Sequence, residues 1–127
     1  MATGLENLKV YQMAEALEIE VYKVTKDFPK EEKYSSVNQL RRSSASVPNN
    51  IAEGYARHSY AEKVRYLYIA KGEAEETKRN IIRSGKKELI TELVANDLAD
   101  KYTDLLKAIS GYIGFLKDKS SKQTYKT

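Results

Sequence analysis

Two stripes of side chains, one apolar and one polar, run in parallel at heptad spacing through residues 37–57. Steps of three and four residues keep each stripe on one face of an α-helix. The apolar stripe consists of Val37, Leu40, Ser44, Val47, Ile51 and Tyr55. The polar stripe consists of Gln39, Ser43, Ser46, Asn50, Glu53 and Arg57. Because polar groups cost free energy when they are buried without partners, the second stripe is either solvated or matched to polar partners. Its position beside the apolar stripe favours a packed, hydrogen-bonded seam, within the chain or between subunits.

Four helical segments are predicted from apolar periodicity and from helix start and stop signals. Thr3 and Glu6 have capping-box spacing before the first helix, and Ser59 with Glu62 has it before the third. Thr91 can cap the fourth helix, and Gly85 is a stop signal for the third. The predicted spans are Leu5 to Lys26, Lys33 to Arg57, Ser59 to Ser84 and Glu92 to Lys117.

Pro48 lies inside the second predicted helix. A proline there removes a backbone hydrogen bond and clashes with the carbonyl group of Ser44. Both stripes keep their register across Pro48, which predicts a kinked but continuous helix. The alternative is two helices separated near Val47. Gly54 is costly within a helix, so we expect it to allow close packing against a neighbouring helix.

Long helices joined by short connections predict an all-α fold, an antiparallel up-down-up-down four-helix bundle. The bundle is expected over residues 5–117, and the polar segment 118–127 is expected to be a flexible tail. Ten tyrosines suit partly buried positions, because each joins apolar area to a hydroxyl group. Tyr34, Tyr102 and Tyr125 are expected at the boundary of the core.

Charge and composition limit the classes of function. The net charge is +4, and residues 41–90 hold 11 basic against 6 acidic residues, a positive field that can attract phosphate backbones. The alternative is a solvated basic surface. Cysteine is absent, no apolar run approaches the ~20 residues of a membrane span, and the N-terminus lacks secretory-signal features. A cytoplasmic location without a membrane partner is therefore expected.

Enzymatic chemistry has little support in the sequence. A di-iron bundle needs two Glu-x-x-His pairs, but the chain has a single histidine, His58, with no Glu three residues before it. Nucleophilic catalysis lacks a cysteine or a plausible Ser-His-Asp set, and no glycine-rich phosphate loop is present. We therefore predict no enzyme activity, no metal and no cofactor.

Basic residues interleaved with tyrosines are the candidate contacts to nucleic acid. The candidates are Arg41, Arg42, Lys63 and Arg65, with the lysine-rich tail as an auxiliary. No recognised DNA- or RNA-binding motif accompanies them, so binding would be directed at the backbone or shape of the nucleic acid. Arg57 has a competing interpretation, because it can pair with Glu53 along the helix or across a subunit seam.

Several motifs together resemble a known family, the four-helix-bundle proteins first noticed as reading frames in intervening sequences of bacterial 23S ribosomal RNA genes. The opening pattern is Leu8-Lys9-Val10-Tyr11, Ala14, Tyr22, Thr25, Phe28-Pro29 and Glu32. The signature is Gln39-Leu40-Arg41-Arg42, then Ser46-Val47-Pro48, Asn50-Ile51-Ala52-Glu53-Gly54, Arg57 and Ser59. The similarity continues through Ile69-Ala70, Gly72 and Glu76, and it covers residues 5–117.

The resemblance implies a four-helix bundle that assembles into a ring-shaped homopentamer. A related branch, the accessory proteins of diversity-generating retroelements, pairs a similar pentamer with a reverse transcriptase and RNA. The highly charged run from Glu73 to Arg79 departs from the family pattern, which is more apolar after Gly72. This departure leaves the outer contacts of the third helix open.

Two functions follow as hypotheses. The first is a non-enzymatic oligomeric scaffold, a pentamer, that binds RNA or a ribonucleoprotein. The alternative is a protein-interaction adaptor that docks an acidic partner without nucleic acid. Salt dependence distinguishes them, because phosphate binding releases counterions and weakens steeply as ionic strength rises.

Overall fold

The computed structural model describes residues 4–126, with side chains described as far as Lys122. Over this range the chain is helical and contains no strand. The four main helices are α1 (Lys9–Thr25), α2 (Asn38–Ala56), α3 (Tyr60–Lys86) and α4 (Glu92–Lys126). A 3-10 helix, Gly4–Asn7, precedes α1, and a 3-10 turn, Lys30–Glu32, and a π-helix, Lys33–Val37, connect α1 to α2.

Pairs of contacting residues show that consecutive helices run antiparallel. Between α2 and α3, the hydroxyl groups of Ser43 and Thr77 share a hydrogen bond, and Arg57 bonds to the Tyr66 hydroxyl. Between α3 and α4, Lys117 donates to the hydroxyl of Tyr68. Helices α1 and α4 also pack against each other, which closes the bundle. The predicted four-helix bundle is therefore confirmed.

The core consists mainly of the predicted apolar stripes. Its most deeply buried members include Val21, Leu40, Val47, Ile51, Leu67, Ile81, Leu105 and Ile109. Tyr55, at the end of the apolar stripe, is exposed. Two tyrosines expected at the core boundary lie elsewhere, because Tyr102 is fully buried and Tyr34 is exposed. The side chain of Tyr125 lies outside the described residues.

Helix α1 begins at Lys9, so the predicted start at Leu5 is wrong. Gly4 has a φ of +61° and Leu8 is extended, which separates the short 3-10 helix from α1. Thr3, half of the predicted capping box, lies outside the described residues. Helix α4 continues to Lys126, so its predicted end at Lys117 is also wrong. The flexibility of segment 118–127 stays a prediction.

Helix α3 begins as predicted and ends two residues later than predicted. The Ser59 hydroxyl accepts a hydrogen bond from the Glu62 amide at 3.1 Å. At the other end, Glu88 has a φ of +64°, and the Leu89 amide donates to the Ser84 carbonyl at 3.0 Å. This geometry is a Schellman motif in which glutamate occupies the left-handed position that usually holds glycine. Gly85 is inside the last turn and buried.

Helix α2 is continuous through Pro48, which is buried. The kink predicted there stays a prediction. Gly54 packs against α3 as expected, because an added Cβ would lie 3.1 Å from the Lys63 carbonyl oxygen and 3.1 Å from the Tyr66 Cβ. Thr91 caps α4 through a 3.2 Å bond from the Val94 amide.

Candidate nucleic-acid interface and polar seam

The first half of the polar stripe on α2 faces α3. Ser43 and Thr77 are both fully buried, and their hydroxyl oxygens lie 2.7 Å apart. One step earlier, Gln39 lines a small polar cavity of about 30 Å³ together with Asn80 and Ser84. These residues form a polar seam between α2 and α3, in which Ser43 and Thr77 are hydrogen-bonded across the two helices. Burial and hydrogen bonding along the whole stripe stay a prediction.

The partners of this seam form a second polar stripe on α3, which sequence reasoning missed. Its members are Glu73, Thr77, Asn80 and Ser84, again at steps of three and four. Thr77, Asn80 and Ser84 are buried, and Asn80 and Ser84 bond to each other within the helix. The spacing of three and four residues indicates this stripe, but the many charged residues around Glu73 made its polar members hard to distinguish from an exposed surface.

After Ser43, the polar stripe turns toward the surface, where Arg57 still reaches α3 through the Tyr66 hydroxyl. Ser46 and Asn50 are half-buried and bond within α2, where the Asn50 amide donates to the carbonyl and hydroxyl oxygens of Ser46 at 2.8 and 2.9 Å. Glu53 and Arg57 form an ion pair of 3.1 Å at the surface. Gln39 is also exposed. A single bundle therefore does not bury these three side chains.

The period of a straight helix explains the change in direction. Ser43 and Gly54, the residues that contact α3, are eleven residues apart, which corresponds to about three turns at 3.67 residues each. A stripe with the heptad pattern that begins at Ser43 contains Glu53 instead of Gly54. Because the heptad drifts by about 20° per repeat against a straight helix, the polar stripe rotates out toward solvent.

Arg41 and Arg42 are neighbours in sequence but point to different helices. Arg41 turns toward α1, where its Nε donates to the Thr25 hydroxyl at 2.9 Å and its guanidinium lies 4.2 Å from the Tyr22 ring centroid. Arg42 turns toward α3 and pairs with Glu73 at 3.2 Å and also with Glu76. The two arginines therefore do not form one basic patch. The residue types indicate that both side chains are charged, but not which neighbouring helix each one faces.

Lys63 and Arg65 lie near the connection between α2 and α3. The Lys63 ammonium group donates to the Tyr55 carbonyl at 2.9 Å, near the C-terminal end of α2 where a cation is favoured. Arg65 donates to Glu62 at 2.9 Å, and this bond lowers the pKa of the Glu62 carboxyl group.

Tyr66 lies between two guanidinium groups in the same region. The Cζ atoms of Arg57 and Arg65 are 4.9 and 4.5 Å from its ring centroid. The tyrosine hydroxyl accepts a 2.9 Å hydrogen bond from Arg57. Cation–π contacts of this kind fix the positions of both arginines while they remain exposed to solvent.

The four candidate contacts thus lie in three places, and each has a partner in its own chain. Arg42 and Arg65 are the more available pair, since their side chains are 55% and 54% exposed and their partners are surface carboxylates. Surface ion pairs contribute little stability, so a phosphate could displace these carboxylates at small cost. Arg41 and Lys63 instead hold helix ends together.

The described part of the chain offers neither a metal cluster nor a membrane span. Within residues 4–122, acidic and histidine side chains form no group of three or more that could hold a metal ion. The described helices include none with the length and apolarity needed to cross a membrane.

The chain shows clear similarity to known proteins. Residues 6–111 match the family model described as 23S rRNA-intervening sequence protein. The fold is similar to the crystal structure of a protein with unknown function, from the S23 ribosomal protein family of Bacteroides thetaiotaomicron. That comparison has a TM-score of 0.74 and 23% identity, and it covers 82% of this chain and 97% of the other. No curated protein sequence matches this chain. Because the family model spans most of the chain, this protein belongs to the family of 23S rRNA-intervening sequence proteins.

Proposed function

We propose that this protein is a non-enzymatic scaffold that assembles as a homo-oligomer, a ring of five subunits, and binds RNA or a ribonucleoprotein. The observation that carries the proposal is a separation of charge across the bundle. Helices α2 and α3 together hold nine basic and five acidic residues. Helix α1 and residues 92–107 of α4 hold four basic and seven acidic residues, whereas the rest of α4 is basic. A chain with a basic and an acidic region is suited to head-to-tail association.

Exposed apolar side chains in the basic region support this assembly. The outer face of α3, defined by exposed residues at helical spacing from Tyr68 to Arg83, consists of Tyr68, Ile69, Gly72, Glu75, Arg79 and Arg83. Tyr68 and Ile69, at its N-terminal end, are 47% and 39% exposed. Exposed apolar side chains bordered by charged ones are typical of protein–protein interfaces.

A largely apolar groove offers a second surface for the contact. It lies between α1 and α4, has a volume of about 190 Å³, and is lined by Met13, Ala16, Leu17, Lys101 and Asp104. In the proposed ring, the outer face of α3 of one copy docks on this groove of the next copy. Because the two surfaces differ, each subunit uses both, and the contacts close into a ring.

Native mass spectrometry tests the assembly. The parent protein should give one species at five times the 14.5 kDa chain mass. An Ile69→Glu variant should shift to the monomer, because it places a charge within the interface. Leu93→Glu, which changes an exposed apolar residue outside the outer face of α3, is the matched control and should keep the oligomer. A parent that stays monomeric at micromolar concentrations would refute the ring.

The RNA part of the proposal rests on basic residues of α2 and α3 that lie outside the outer face of α3. Ring symmetry repeats these residues, so weak contacts add up to useful avidity. Arg42 and Arg65 are the proposed direct contacts, while Arg41 and Lys63 add to the positive field.

RNA affinity should be measured with a structured RNA at low and at physiological salt. An Arg42→Gln/Arg65→Gln variant should bind several-fold more weakly than the parent, with a shallower salt dependence. A Lys9→Gln/Lys107→Gln variant removes the same charge elsewhere and should bind like the parent. If the parent does not bind even at low salt, the RNA proposal is refuted.

The second candidate, an adaptor for an acidic protein partner, is favoured by one specific observation. Arg42, Arg57 and Arg65 are each paired with a carboxylate of their own chain. Basic residues that already bind carboxylates can exchange them for those of a partner. Such an adaptor would show a mild salt dependence and no affinity for RNA.

A further inference from the structure

A cleft with four cations lies where the C-terminal end of α1 meets the start of α2. Its volume is about 330 Å³. Its lining consists of Tyr22, Thr25, Lys26, Phe28, Pro29, Lys30, Lys33, Val37 and Arg41. Sequence patterns do not reveal this group, because the three lysines lie in and beside a short connection and Arg41 lies on the next helix.

The charge of the cleft is of one sign. Lys26, Lys30, Lys33 and Arg41 line it, and no carboxylate does among these described residues. The nearby Glu32 carboxylate instead accepts hydrogen bonds from the hydroxyl groups of Ser35 and Ser36 at 2.8 and 3.0 Å. A concave surface lined by cations concentrates its field on an anion.

Arg41 is held in a fixed position at the inner side of the cleft. Its Nε bonds to the Thr25 hydroxyl, and its Nη2 lies 3.4 Å from the Tyr22 carbonyl oxygen. These bonds use Nε and Nη2, and Nη1 makes no hydrogen bond among the described residues. Thr25 is itself buried, so the guanidinium group is positioned before any ligand arrives. A pre-positioned arginine is well suited to a phosphate group.

The floor of the cleft is apolar and aromatic. Phe28 and Val37 are buried beneath it, Pro29 forms one edge, and the Tyr22 ring is 48% exposed. The π-helix Lys33–Val37 contributes its first and last residues, Lys33 and Val37, to the lining, and the Lys33 ammonium lies 5.4 Å from the Tyr34 ring centroid. A ligand that fits this site needs an anion for the cations and a flat apolar part for the floor.

We propose that this cleft binds a nucleotide, with its phosphate on Arg41 and the lysines and its base on the apolar floor beside Tyr22. A cavity of this volume is within the range of small-molecule sites. The nucleotide can be free or can belong to a single-stranded RNA, and in the second case the inference rests on the proposed function.

Calorimetric titrations with AMP and with an eight-residue oligoadenylate RNA distinguish a free nucleotide from one within single-stranded RNA. A titration with inorganic phosphate shows how much of the binding is due to the phosphate alone. The parent should bind AMP more tightly than phosphate. Lys30→Gln/Lys33→Gln should weaken AMP binding roughly tenfold, and should reduce the salt slope for the RNA by about 0.7 for each phosphate that the variant no longer neutralises. Lys9→Gln/Lys107→Gln is the charge-matched control and should bind like the parent. Tyr22→Leu should weaken AMP but not phosphate, which a general loss of structure would not do.

Each outcome bears on one proposal. AMP binding without oligoadenylate binding supports the cleft as a site for free nucleotides and excludes single-stranded RNA as the source of the nucleotide, while the RNA function is still decided by the structured RNA. RNA binding that the cleft variant retains in full, without AMP binding, overturns the cleft and leaves the RNA function in place. Equal affinity for phosphate and AMP overturns the nucleotide assignment, and so does an equal decrease in affinity in the control variant.

Discussion

Ser43 of α2 and Thr77 of α3 share a hydrogen bond of 2.7 Å at a point where neither side chain contacts solvent. Thr77 also lies 2.8 Å from the Glu73 carbonyl oxygen, so the pair is tied to the backbone of α3. Burial removes the water that would hydrate each hydroxyl group, which costs free energy. The hydrogen bond between the two groups offsets this cost.

A double-mutant cycle on this pair should show strong coupling. Thr77→Val or Ser43→Ala alone should each lower the free energy of unfolding by about 1–3 kcal/mol, because a buried hydroxyl group loses its partner on the other helix. The double variant should cost clearly less than the sum. Urea denaturation at fixed protein concentration measures this, and additive costs would show that the bond contributes little.

Two glycines should respond oppositely to alanine. At Gly85 an added Cβ would lie 2.8 Å from the Ala95 Cβ, so Gly85→Ala should destabilise the protein by about 1–3 kcal/mol. Gly111 lies within α4 with open space around it, and Gly111→Ala should stabilise by about 0.5–1 kcal/mol through helix propensity. Thermal unfolding of the two variants checks the pair, and stabilisation by Gly85→Ala would contradict the close approach of α3 and α4.

Glu88→Gly should stabilise the C-terminal end of α3. Glu88 holds a φ of +64°, a conformation that disfavours side chains but that glycine adopts freely. We expect an increase of about 0.5–1 kcal/mol in the free energy of unfolding. Glu88→Ala removes the carboxyl group but keeps the strain, so it is the control and should change stability little. Equal effects of the two variants would assign the gain to charge.

Tyr102→Phe should be neutral or stabilising. The Tyr102 hydroxyl is buried and has no hydrogen-bond partner among the described residues. Burial, followed by the charges of Glu18 and Glu20, raises the pKa of this hydroxyl. Removing an unsatisfied hydroxyl group removes a desolvation cost. Tyr102→Ala should instead cost about 3–5 kcal/mol by leaving a cavity. In urea denaturation, a decrease in stability above about 1 kcal/mol for the phenylalanine variant would reveal a partner, such as a buried water.

Glu18→Gln should stabilise the protein near neutral pH and lose this effect in acid. Burial, followed by the charge of Glu15, raises the pKa of the Glu18 carboxyl above its ordinary value of 4.5. The folded state therefore favours protonated Glu18, and the charged form costs stability above the folded pKa. The gain should be about a few tenths of a kcal/mol, because solvent screens this partly exposed group. Melting curves at pH 7 and pH 3 test this, and an equal gain at both would exclude titration as the cause.

The sequence predicted the elements of the fold well and the directions of its polar groups less well. Apolar periodicity located Leu40, Val47 and Ile51 in the core, since burial is what that pattern reports. It could not show that Arg41 and Arg42 diverge, because about 100° of rotation per residue sends neighbours to different helices. Within a single chain the heptad stripe reaches the surface at Glu53 for a related reason, because a small difference in period accumulates along a straight helix. Burial of Glu53 between subunits stays a prediction. The cleft around Arg41 could not be predicted, because it depends on the path of the α1–α2 connection, which local sequence patterns do not determine.

The length of α4 has a consequence for motion. The last buried residue among its described side chains is Leu116, yet the helix extends ten residues further, about 15 Å at 1.5 Å per residue. The described side chains beyond Leu116 are mostly exposed, and Lys122 pairs with Asp118 within the same helix. The bundle has already nucleated this helix, so extension by further turns requires little free energy, and so does their unwinding. Amide hydrogens should therefore exchange in a gradient along one unbroken helix, slowly before Leu116 and progressively faster toward Lys126. The end of α4 can unwind and re-form reversibly, and contact with a neighbouring subunit or a ligand would favour its folded form.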